Sequence, residues 1–184
     1  MNIGVENLPP RTDDNLVNVI VDTPKGSRNK YKYDEKIHCF RLSRILPAGA
    51  SFPHDFGYIP RTLAEDGDPL DVMVISEVPG FSGCNVAVKL IGTISGVQTE
   101  KGKSIRNDRL LGVPMTSVNP ISFEQLDDLP PGWITEVEHF FVSYNSVQGR
   151  EFRSIGHGGP KEADEALASA ERRYKRQKED KSKR

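Results

Sequence analysis

Three aspartates lie within one short stretch of the chain, residues 66–71 (DGDPLD). Gly67 permits a sharp backbone bend and Pro69 fixes φ, so the stretch is predicted to form a tight turn. The β-branched and apolar run 72–75 (VMVI) follows, which predicts that the turn leads into a buried strand. Three carboxylates this close repel one another unless a cation lies among them, and Mg²⁺ prefers such oxygen ligands. The pattern therefore predicts a divalent-metal site at a strand entrance.

Two other interpretations of this turn were weighed. Asp-Gly and Asp-Pro are common turn dipeptides, so an acidic surface turn without metal also fits the residues alone. A calcium loop of the EF-hand type would use acids at its first and third positions and Glu77 at its twelfth. Leu70 stands where that loop needs an oxygen ligand, and Asp71 replaces its bend glycine, so we exclude it.

The chain has 184 residues, with 36% hydrophobic and 28% charged residues and a formal net charge of -1. This length fits one domain with a proper core. Basic residues outnumber acidic ones strongly between Arg172 and Arg184, and we predict a domain at 1–176 followed by a basic, disordered tail at 177–184. A nucleic-acid role for the basic stretch is disfavoured because Tyr174 is the only aromatic residue between Arg172 and Arg184.

No apolar run is long enough to cross a membrane, and residues 1–15 are polar and acidic, unlike a signal peptide. We therefore expect a cytoplasmic protein with no membrane partner. Cys39 and Cys84 do not form a redox motif and lie in apolar, strand-like surroundings. They are expected to be buried, reduced thiols.

Short β-branched segments separated by Pro and Gly turns dominate the first two thirds of the chain, which predicts a small closed β-barrel. Helical patterns follow: a capping box at Ser122–Gln125, apolar residues at helical spacing from Ile134 to Tyr144, and a final pattern from Ala163 to Tyr174. The fold class is therefore α+β, with a barrel first and helices packed on it. The predicted strands are 16–22, 31–34, 39–42, 71–75, 85–95 and 109–113.

The stretch 61–74 (RTLAEDGDPLDVMV) resembles the signature of soluble family I inorganic pyrophosphatases, and further blocks occur in the family's order at 19–31, 52–60, 111–114 and 139–144. The resemblance implies an OB-like closed β-barrel of short antiparallel strands with flanking C-terminal helices. It also implies Mg²⁺-dependent hydrolysis of pyrophosphate to two orthophosphates, with Mn²⁺ or Zn²⁺ as alternative metals. Homo-oligomers, either hexamers or dimers, are the family's usual assemblies.

The resemblance also implies roles for individual residues. Asp68 matches the acid that helps deprotonate the attacking water, and Asp66 and Asp71 match metal ligands. Positions that match the family's substrate-binding residues are Lys30, Arg44, Arg109 and Tyr144, with Arg109 standing where the family usually has a lysine. Without the motif, these cations would fit ordinary surface residues and the tyrosine would fit a helical core stripe.

Several positions depart from the family's pattern. Gln98 and Asn107 stand where the family has aspartate ligands, although Asp108 is adjacent and a small register shift would supply a carboxylate there. Lys32 replaces an active-site glutamate. The remaining changes are Asp22 for a glutamate, Phe56 for a tyrosine and Asn145 for a lysine.

The changes at Gln98, Asn107 and Lys32 make the site less negative by about four charges, and loss of the lysine at Asn145 makes it more negative by about one. Fewer Mg²⁺ ions should therefore bind. We therefore expect weak or altered pyrophosphatase activity. The alternative is a catalytically impaired homologue that binds a phosphorylated ligand or regulates a partner. Binding of nucleic acid by the barrel is disfavoured, because the barrel is acidic and has no clear aromatic platform.

Overall fold

The computed structural model describes residues 4–115 and 123–182. More of these residues belong to strands than to helices, and both helices follow the strands of the barrel. In chain order the elements are β1 (Val17–Thr23), β2 (Asn29–Asp34), β3 (Cys39–Ile45), β4 (Asp55–Tyr58), β5 (Asp71–Val74), β6 (Asn85–Glu100), β7 (Lys103–Arg106), β8 (Arg109–Pro114), α1 (Trp133–Ser146), β9 (Glu151–Gly158) and α2 (Pro160–Ser182).

The main sheet closes on itself. Strands β1, β4, β5, β8 and β6 are hydrogen-bonded in that order, and β1 also pairs with β6, which completes a ring. Strands β7 and β9 add to β6 outside the ring. The ring with its two later helices confirms the predicted α+β, OB-like barrel. Two details differ, because β5 and β8 pair in parallel and β6 is 16 residues long.

Two hydrophobic clusters stabilise the barrel, one against each helix. Helix α1 packs Val137 and Phe141 against a cluster that includes Phe52 and Phe56. Helix α2 presents Ala163, Leu167 and Ala170, which recur at helical spacing and are fully buried, to the other cluster. Each helix is thus fixed to the barrel by one apolar stripe. This contact also fixes the positions of the polar residues on the other faces of the helix.

Strands β2 and β3 form a separate two-stranded sheet, which we call the hairpin. None of its strand residues is buried. Its register places Lys30 opposite Arg44. The hairpin therefore contributes cationic side chains rather than core to the molecule.

Helix α2 continues to Ser182, so residues 177–182, expected as a disordered tail, are helical. Helical propensity explains this, because Gln, Lys and Glu make up four of the six residues of the segment. The boundary of the domain at residue 176 stays a prediction. The predicted cap at Ser122 lies outside the described residues, and a short 3₁₀ helix at Leu126–Asp128 follows, capped by Gln125.

The two cysteines are free, as expected, but their burial differs from the prediction: Cys39 is exposed and Cys84 is half-buried. Cys39 begins a strand of the hairpin, which has no buried residues, and this explains its exposure. Among residues 4–115 and 123–182, no helix is both long and apolar enough to cross a membrane.

Candidate active site

One cavity of about 780 Å³ brings the predicted site residues together. It lies between the hairpin, the acidic turn before β5, the ends of β6 and β8, and the two helices. All seven residues assigned a role from sequence line it: Lys30, Arg44, Asp66, Asp68, Asp71, Arg109 and Tyr144. The substituted positions Asp22, Lys32, Phe56, Gln98, Asn107 and Asn145 line it as well.

The acidic turn is held in shape by its own hydrogen bonds. Gly67 has φ +89°, in the left-handed region that glycine adopts without strain. An Asp66 carboxylate oxygen accepts a hydrogen bond from the Asp68 backbone N–H at 3.1 Å. The buried Thr62 hydroxyl accepts one from the Leu70 backbone N–H at 2.9 Å. The turn therefore presents its carboxylates to the cavity in a fixed arrangement.

The pKa of Asp66 is raised above its ordinary value. Desolvation by the surrounding protein is the main cause, and the charges of Asp71 and Asp68 act in the same direction, while the backbone hydrogen bond from Asp68 opposes them. A bound cation would relieve the repulsion between Asp66 and these like-charged neighbours.

Asp68 is paired with Lys32 of the hairpin. The Lys32 ammonium lies 3.0 Å from one carboxylate oxygen and 2.9 Å from the other. Burial lowers the pKa of Lys32, but the hydrogen bond to Asp68 and the charges of Asp68, Asp71 and Asp66 raise it overall. Both side chains are 58% exposed, so the pair lies at the open side of the cavity.

Asp71 is paired with Arg109, the first residue of β8. A guanidinium nitrogen of Arg109 lies 2.9 Å from an Asp71 oxygen, and the Arg109 side chain is only 7% exposed. The guanidinium carbon lies 5.4 Å from the ring centroid of Phe141 and 5.8 Å from that of Phe56. Arg109 is therefore a buried cation that holds one wall of the cavity and neutralises one acid of the turn.

Lys30 is paired with Asp22 beneath the hairpin. The Lys30 ammonium lies 2.8 Å from both oxygens of Asp22 and 4.3 Å from the ring centroid of Phe56. Burial raises the pKa of Asp22, and Lys30 opposes that rise. The pair joins the hairpin to β1, with the ammonium facing an aromatic ring.

Gln98 and Asn107 bond to each other, with the Asn107 amide donating to the Gln98 carbonyl at 3.2 Å. Asn107 is buried and its own amide oxygen accepts from Arg109. The Asn107 amide is therefore hydrogen-bonded to both Gln98 and Arg109. Neither position has a carboxylate. They do not form the carboxylate half of a second metal site.

Asp108 does not supply the missing carboxylate. Its two oxygens accept hydrogen bonds from the Gly96 backbone N–H at 3.1 Å and from Arg106 at 2.8 Å. Asp108 lines a different cavity, between β6 and α2. In an extended segment neighbouring side chains point to opposite faces, so Asp108 faces away where Asn107 faces the site.

The donor set of the cavity fits one divalent cation at the acidic turn. Asp66, Asp68 and Asp71 supply hard oxygen ligands, and each paired carboxylate retains lone pairs beyond those given to Lys32 or Arg109. Among the described residues no group of three acidic, histidine or cysteine side chains already has the arrangement of a metal site. The Lys32 ammonium already lies at one of these three carboxylates.

Arg44 and Tyr144 reach the cavity from different elements, the strand β3 and the helix α1. Arg44 forms no ion pair with another residue of the described ranges, so its guanidinium is available to an anion. The Tyr144 ring packs on Phe52 at 5.6 Å and on Phe140 at 5.7 Å between centroids, which fixes its direction. Asn145 is different, because it is buried and its amide donates to the Phe141 carbonyl at 2.8 Å. It completes the end of helix α1.

Residues from the end of α2 also line the cavity, which the sequence interpretation did not anticipate. Tyr174, Gln177 and Lys181 are spaced by three and four residues, which places them on one face of the helix. That spacing is the signal in the sequence, although the basic composition of 177–184 predicts a disordered tail. Arg150, paired with Glu100 at 2.9 Å, is a further unanticipated residue of the wall.

Opposite charges are balanced around the cavity. Among the described residues, as many basic as acidic side chains line it. The acidic ones are Glu6, Asp22, Glu35, Asp66, Asp68, Asp71 and Glu100, and the basic ones are Lys30, Lys32, Arg44, Arg61, Arg109, Arg150 and Lys181. Because the positive and negative charges of these side chains cancel, the cavity can bind an anion with few additional metal cations.

Comparison with known proteins gives a consistent result. The family model described as "Inorganic pyrophosphatase" matches residues 19–175. An inorganic pyrophosphatase of Methanosarcina acetivorans is 36% identical over 163 residues, which are 89% of this chain and 95% of that protein. One of Synechocystis is 33% identical over 154 residues, 84% of this chain and 89% of that protein.

Solved structures agree in fold. The crystal structure of inorganic pyrophosphatase from Thermus thermophilus superposes with a TM-score of 0.85 at 33% identity, covering 94% of this chain and 99% of that chain. An inorganic pyrophosphatase from Neisseria gonorrhoeae gives a TM-score of 0.82 at 31% identity, covering 91% of this chain and 96% of that chain. The similarity therefore extends over nearly the whole length of each.

Proposed function

Because the chain belongs to the inorganic pyrophosphatase family, we propose that it hydrolyses inorganic pyrophosphate to two orthophosphates in this cavity. The observation that carries the proposal is the meeting of the acidic turn (Asp66, Asp68 and Asp71) with the hairpin cations around one cavity. Carboxylates that hold a cation and fixed basic groups that hold an anion are the two parts that phosphoanhydride hydrolysis needs.

Lys30, Arg44 and Tyr144 bind the substrate in this proposal. Lys30 and Arg44 face each other across the hairpin and supply positive charge, and the packed Tyr144 ring supports a hydroxyl beside them. Arg109 has a different role from a flexible lysine, because its guanidinium is buried against aromatic rings and engaged with Asp71. In this proposal Arg109 contacts the substrate less directly than Lys30 and Arg44 do, and its main role is to position Asp71.

Asp68 acts as the general base. It is exposed at the cavity, so a water molecule can reach its carboxylate, but one of its bonds to Lys32 must first be released. The water oxygen forms a bond to one phosphorus as the bond between that phosphorus and the bridging oxygen breaks. The water proton passes to Asp68, and the bridging oxygen leaves with the second phosphate.

Asp66 and Asp71 would hold the divalent cation, with Mg²⁺ proposed first and Mn²⁺ or Zn²⁺ as alternatives. When bound, the cation supplies charge neutralisation for the diphosphate and lowers the pKa of a coordinated water. The raised pKa of Asp66, with its like-charged neighbours, supports a cation at this position. The neutral Gln98 and Asn107 pair supports a lower metal count than a fully carboxylate site would have.

We also propose a cytoplasmic location and a homo-oligomeric state, either hexamer or dimer. The two free cysteines support a reducing compartment. Exposed hydrophobic side chains, including Phe81 and Val78, support self-association. Sedimentation velocity of the purified protein tests the assembly.

Phosphate release from pyrophosphate tests the proposed activity. The purified protein is assayed with Mg²⁺, Mn²⁺ and Zn²⁺ beside the Asp68→Asn variant, with circular dichroism to confirm that both are folded. We expect metal-dependent release by the wild type and much slower release by the variant. Equal rates at background for both proteins would contradict hydrolysis and favour the non-catalytic alternative.

A further inference from the structure

The ion pair between Lys32 and Asp68 joins two parts of the molecule that are otherwise separate. Lys32 lies on the hairpin, and Asp68 lies in the acidic turn before β5. The ammonium contacts both carboxylate oxygens, at 3.0 and 2.9 Å. A positive charge of the chain itself thus lies at the acidic turn.

We propose that Lys32 is a tethered cation of the cavity, which opposes the binding of a divalent cation at the acidic turn and binds the anionic ligand directly when that ligand enters. This inference rests on the proposed function, because it concerns the same cavity and the same substrate class. Its consequence is that diphosphate binds with less dependence on divalent metal than the acidic turn alone would require.

Competition follows from the geometry. A divalent cation held by Asp66 and Asp71 would lie in the same short turn as Asp68, both of whose oxygens already accept hydrogen bonds from Lys32. The metal would therefore approach the Lys32 ammonium, and the repulsion between the two positive charges is unfavourable. Both side chains are 58% exposed, so water screens this repulsion and the effect is moderate.

Binding of the anion follows from the position and length of the side chain. Lys32 lines the same cavity as Lys30 and Arg44, so the three cations can approach one ligand. A lysine stem has four flexible carbons and its ammonium has three donors, which allows Lys32 to exchange Asp68 for a phosphate oxygen. Release of Asp68 at that moment frees the carboxylate that the proposed reaction needs.

The first experiment measures metal binding without any phosphate. Mn²⁺ is titrated by calorimetry into the wild type, Lys32→Gln and Lys36→Gln. Lys36 is a matched control, since it is an exposed lysine at the turn of the same hairpin and does not line the cavity. We expect Lys32→Gln to bind Mn²⁺ about three- to tenfold more tightly and Lys36→Gln to match the wild type. Unchanged or weaker binding by Lys32→Gln would overturn the competition.

The second experiment measures anion binding without metal. Imidodiphosphate, a non-hydrolysable diphosphate, is titrated into the same proteins in excess EDTA. We expect the wild type and Lys36→Gln to bind equally and Lys32→Gln to bind about tenfold more weakly. Equal affinity in all three proteins would overturn direct binding by Lys32.

A charge-retaining variant separates charge from folding. Lys32→Arg should behave as the wild type in both titrations, and thermal unfolding by circular dichroism checks that each variant is folded. If Lys32→Arg bound Mn²⁺ more tightly and imidodiphosphate more weakly than the wild type, as is expected of Lys32→Gln, a role for positive charge would be contradicted. Neither titration depends on turnover, so a chain that fails to hydrolyse pyrophosphate can still show the tethered cation, and an active chain can lack it.

Discussion

Arg109 and Asp71 form the most deeply placed ion pair of the acidic turn, with a guanidinium nitrogen 2.9 Å from a carboxylate oxygen and the arginine side chain 7% exposed. The same guanidinium donates to the Asn107 amide and to the Asp108 carbonyl. The arginine therefore connects the start of β8 to the start of β5, two strands that pair in parallel. One buried cation both stabilises the barrel and orients an acid of the site.

Replacing Arg109 by glutamine should destabilise the protein. The change leaves Asp71 without its partner and removes the guanidinium from its aromatic surroundings, so we expect the free energy of unfolding to fall by about 3 kcal/mol. Urea denaturation followed by circular dichroism measures it. Arg61→Gln, which removes an exposed arginine of the same cavity, should change stability by less than about 0.5 kcal/mol. Similar small effects of both changes would contradict a structural role for Arg109.

Asp68→Asn should lower the rate of pyrophosphate hydrolysis by about 10²- to 10⁴-fold, because the amide cannot accept the proton of the attacking water. Phosphate release under saturating substrate measures this. Asp108→Asn should stay within a few-fold of the wild type, since Asp108 lies in another cavity. A large loss in Asp108→Asn, with its fold intact, would show that Asp108 serves the site after all.

The double change of Gln98→Asp and Asn107→Asp should strengthen metal binding. Two carboxylates would then face each other where amides now bond at 3.2 Å, and a cation relieves their repulsion. We expect a lower melting temperature without metal, a larger stabilisation by Mn²⁺ than in the wild type, and faster hydrolysis. Differential scanning calorimetry with and without Mn²⁺ measures the first two.

A matched control adds the same two charges elsewhere. Thr99 and Ser104 face each other outside the cavity, with hydroxyls 2.9 Å apart, on the strands β6 and β7. Thr99→Asp with Ser104→Asp should leave the rate unchanged. If this control gained as much activity as the double change in the cavity, general electrostatics rather than metal ligation would be responsible.

His54 should make stability depend on pH. Burial lowers its pKa from 6.5 to about 4, with a smaller contribution from Lys25, and its Nδ1 atom is buried without a hydrogen-bond partner. The unfolded chain therefore takes up a proton near pH 6.5 that the folded protein does not accept until about pH 4. The stability that the neutral ring contributes is complete above pH 6.5 and is lost as the pH falls through this range.

His54→Phe keeps a ring against Trp133, from which His54 is separated by 5.0 Å between centroids, but removes the titration. Between pH 7 and pH 5 the wild type should lose about 2 kcal/mol more stability than this variant. Urea denaturation at both pH values measures the difference. His139→Gln, at an exposed position of α1, should follow the wild type. Parallel curves for the wild type and His54→Phe would contradict the assignment.

Local chemistry made much of the molecule predictable. The acidic turn needed only Gly67, Pro69 and the apolar run after Asp71, all within a few residues of one another. The barrel strands followed from β-branched runs between turns, and the α2 stripe followed from its helical spacing. Roles at Lys30 and Arg44 came from resemblance, and the structure places both at the cavity, while the roles themselves stay predictions.

Contacts between distant residues were not predictable in the same way. The partner of Asp68 is 36 residues away in sequence, and no periodicity reveals which lysine of the hairpin reaches it. The direction of Asp108 depended on where the extended segment before β8 begins, and one residue of shift would have reversed it. The end of α2 differs from the prediction because the basic composition of 177–184 indicates a disordered tail, whereas the spacing of Tyr174, Gln177 and Lys181 is that of a helix.

The hairpin has a consequence for how this protein can evolve. Its strands supply Lys30, Lys32 and Arg44 to the cavity but bury no residue in the core. Substitutions on these strands can therefore redesign the charge of the cavity at little cost to folding, whereas substitutions in the barrel disturb both. In this fold the cations of the hairpin and the integrity of the barrel are inherited on separate segments, so natural selection can vary these cations while it conserves the barrel with Asp71 and Arg109.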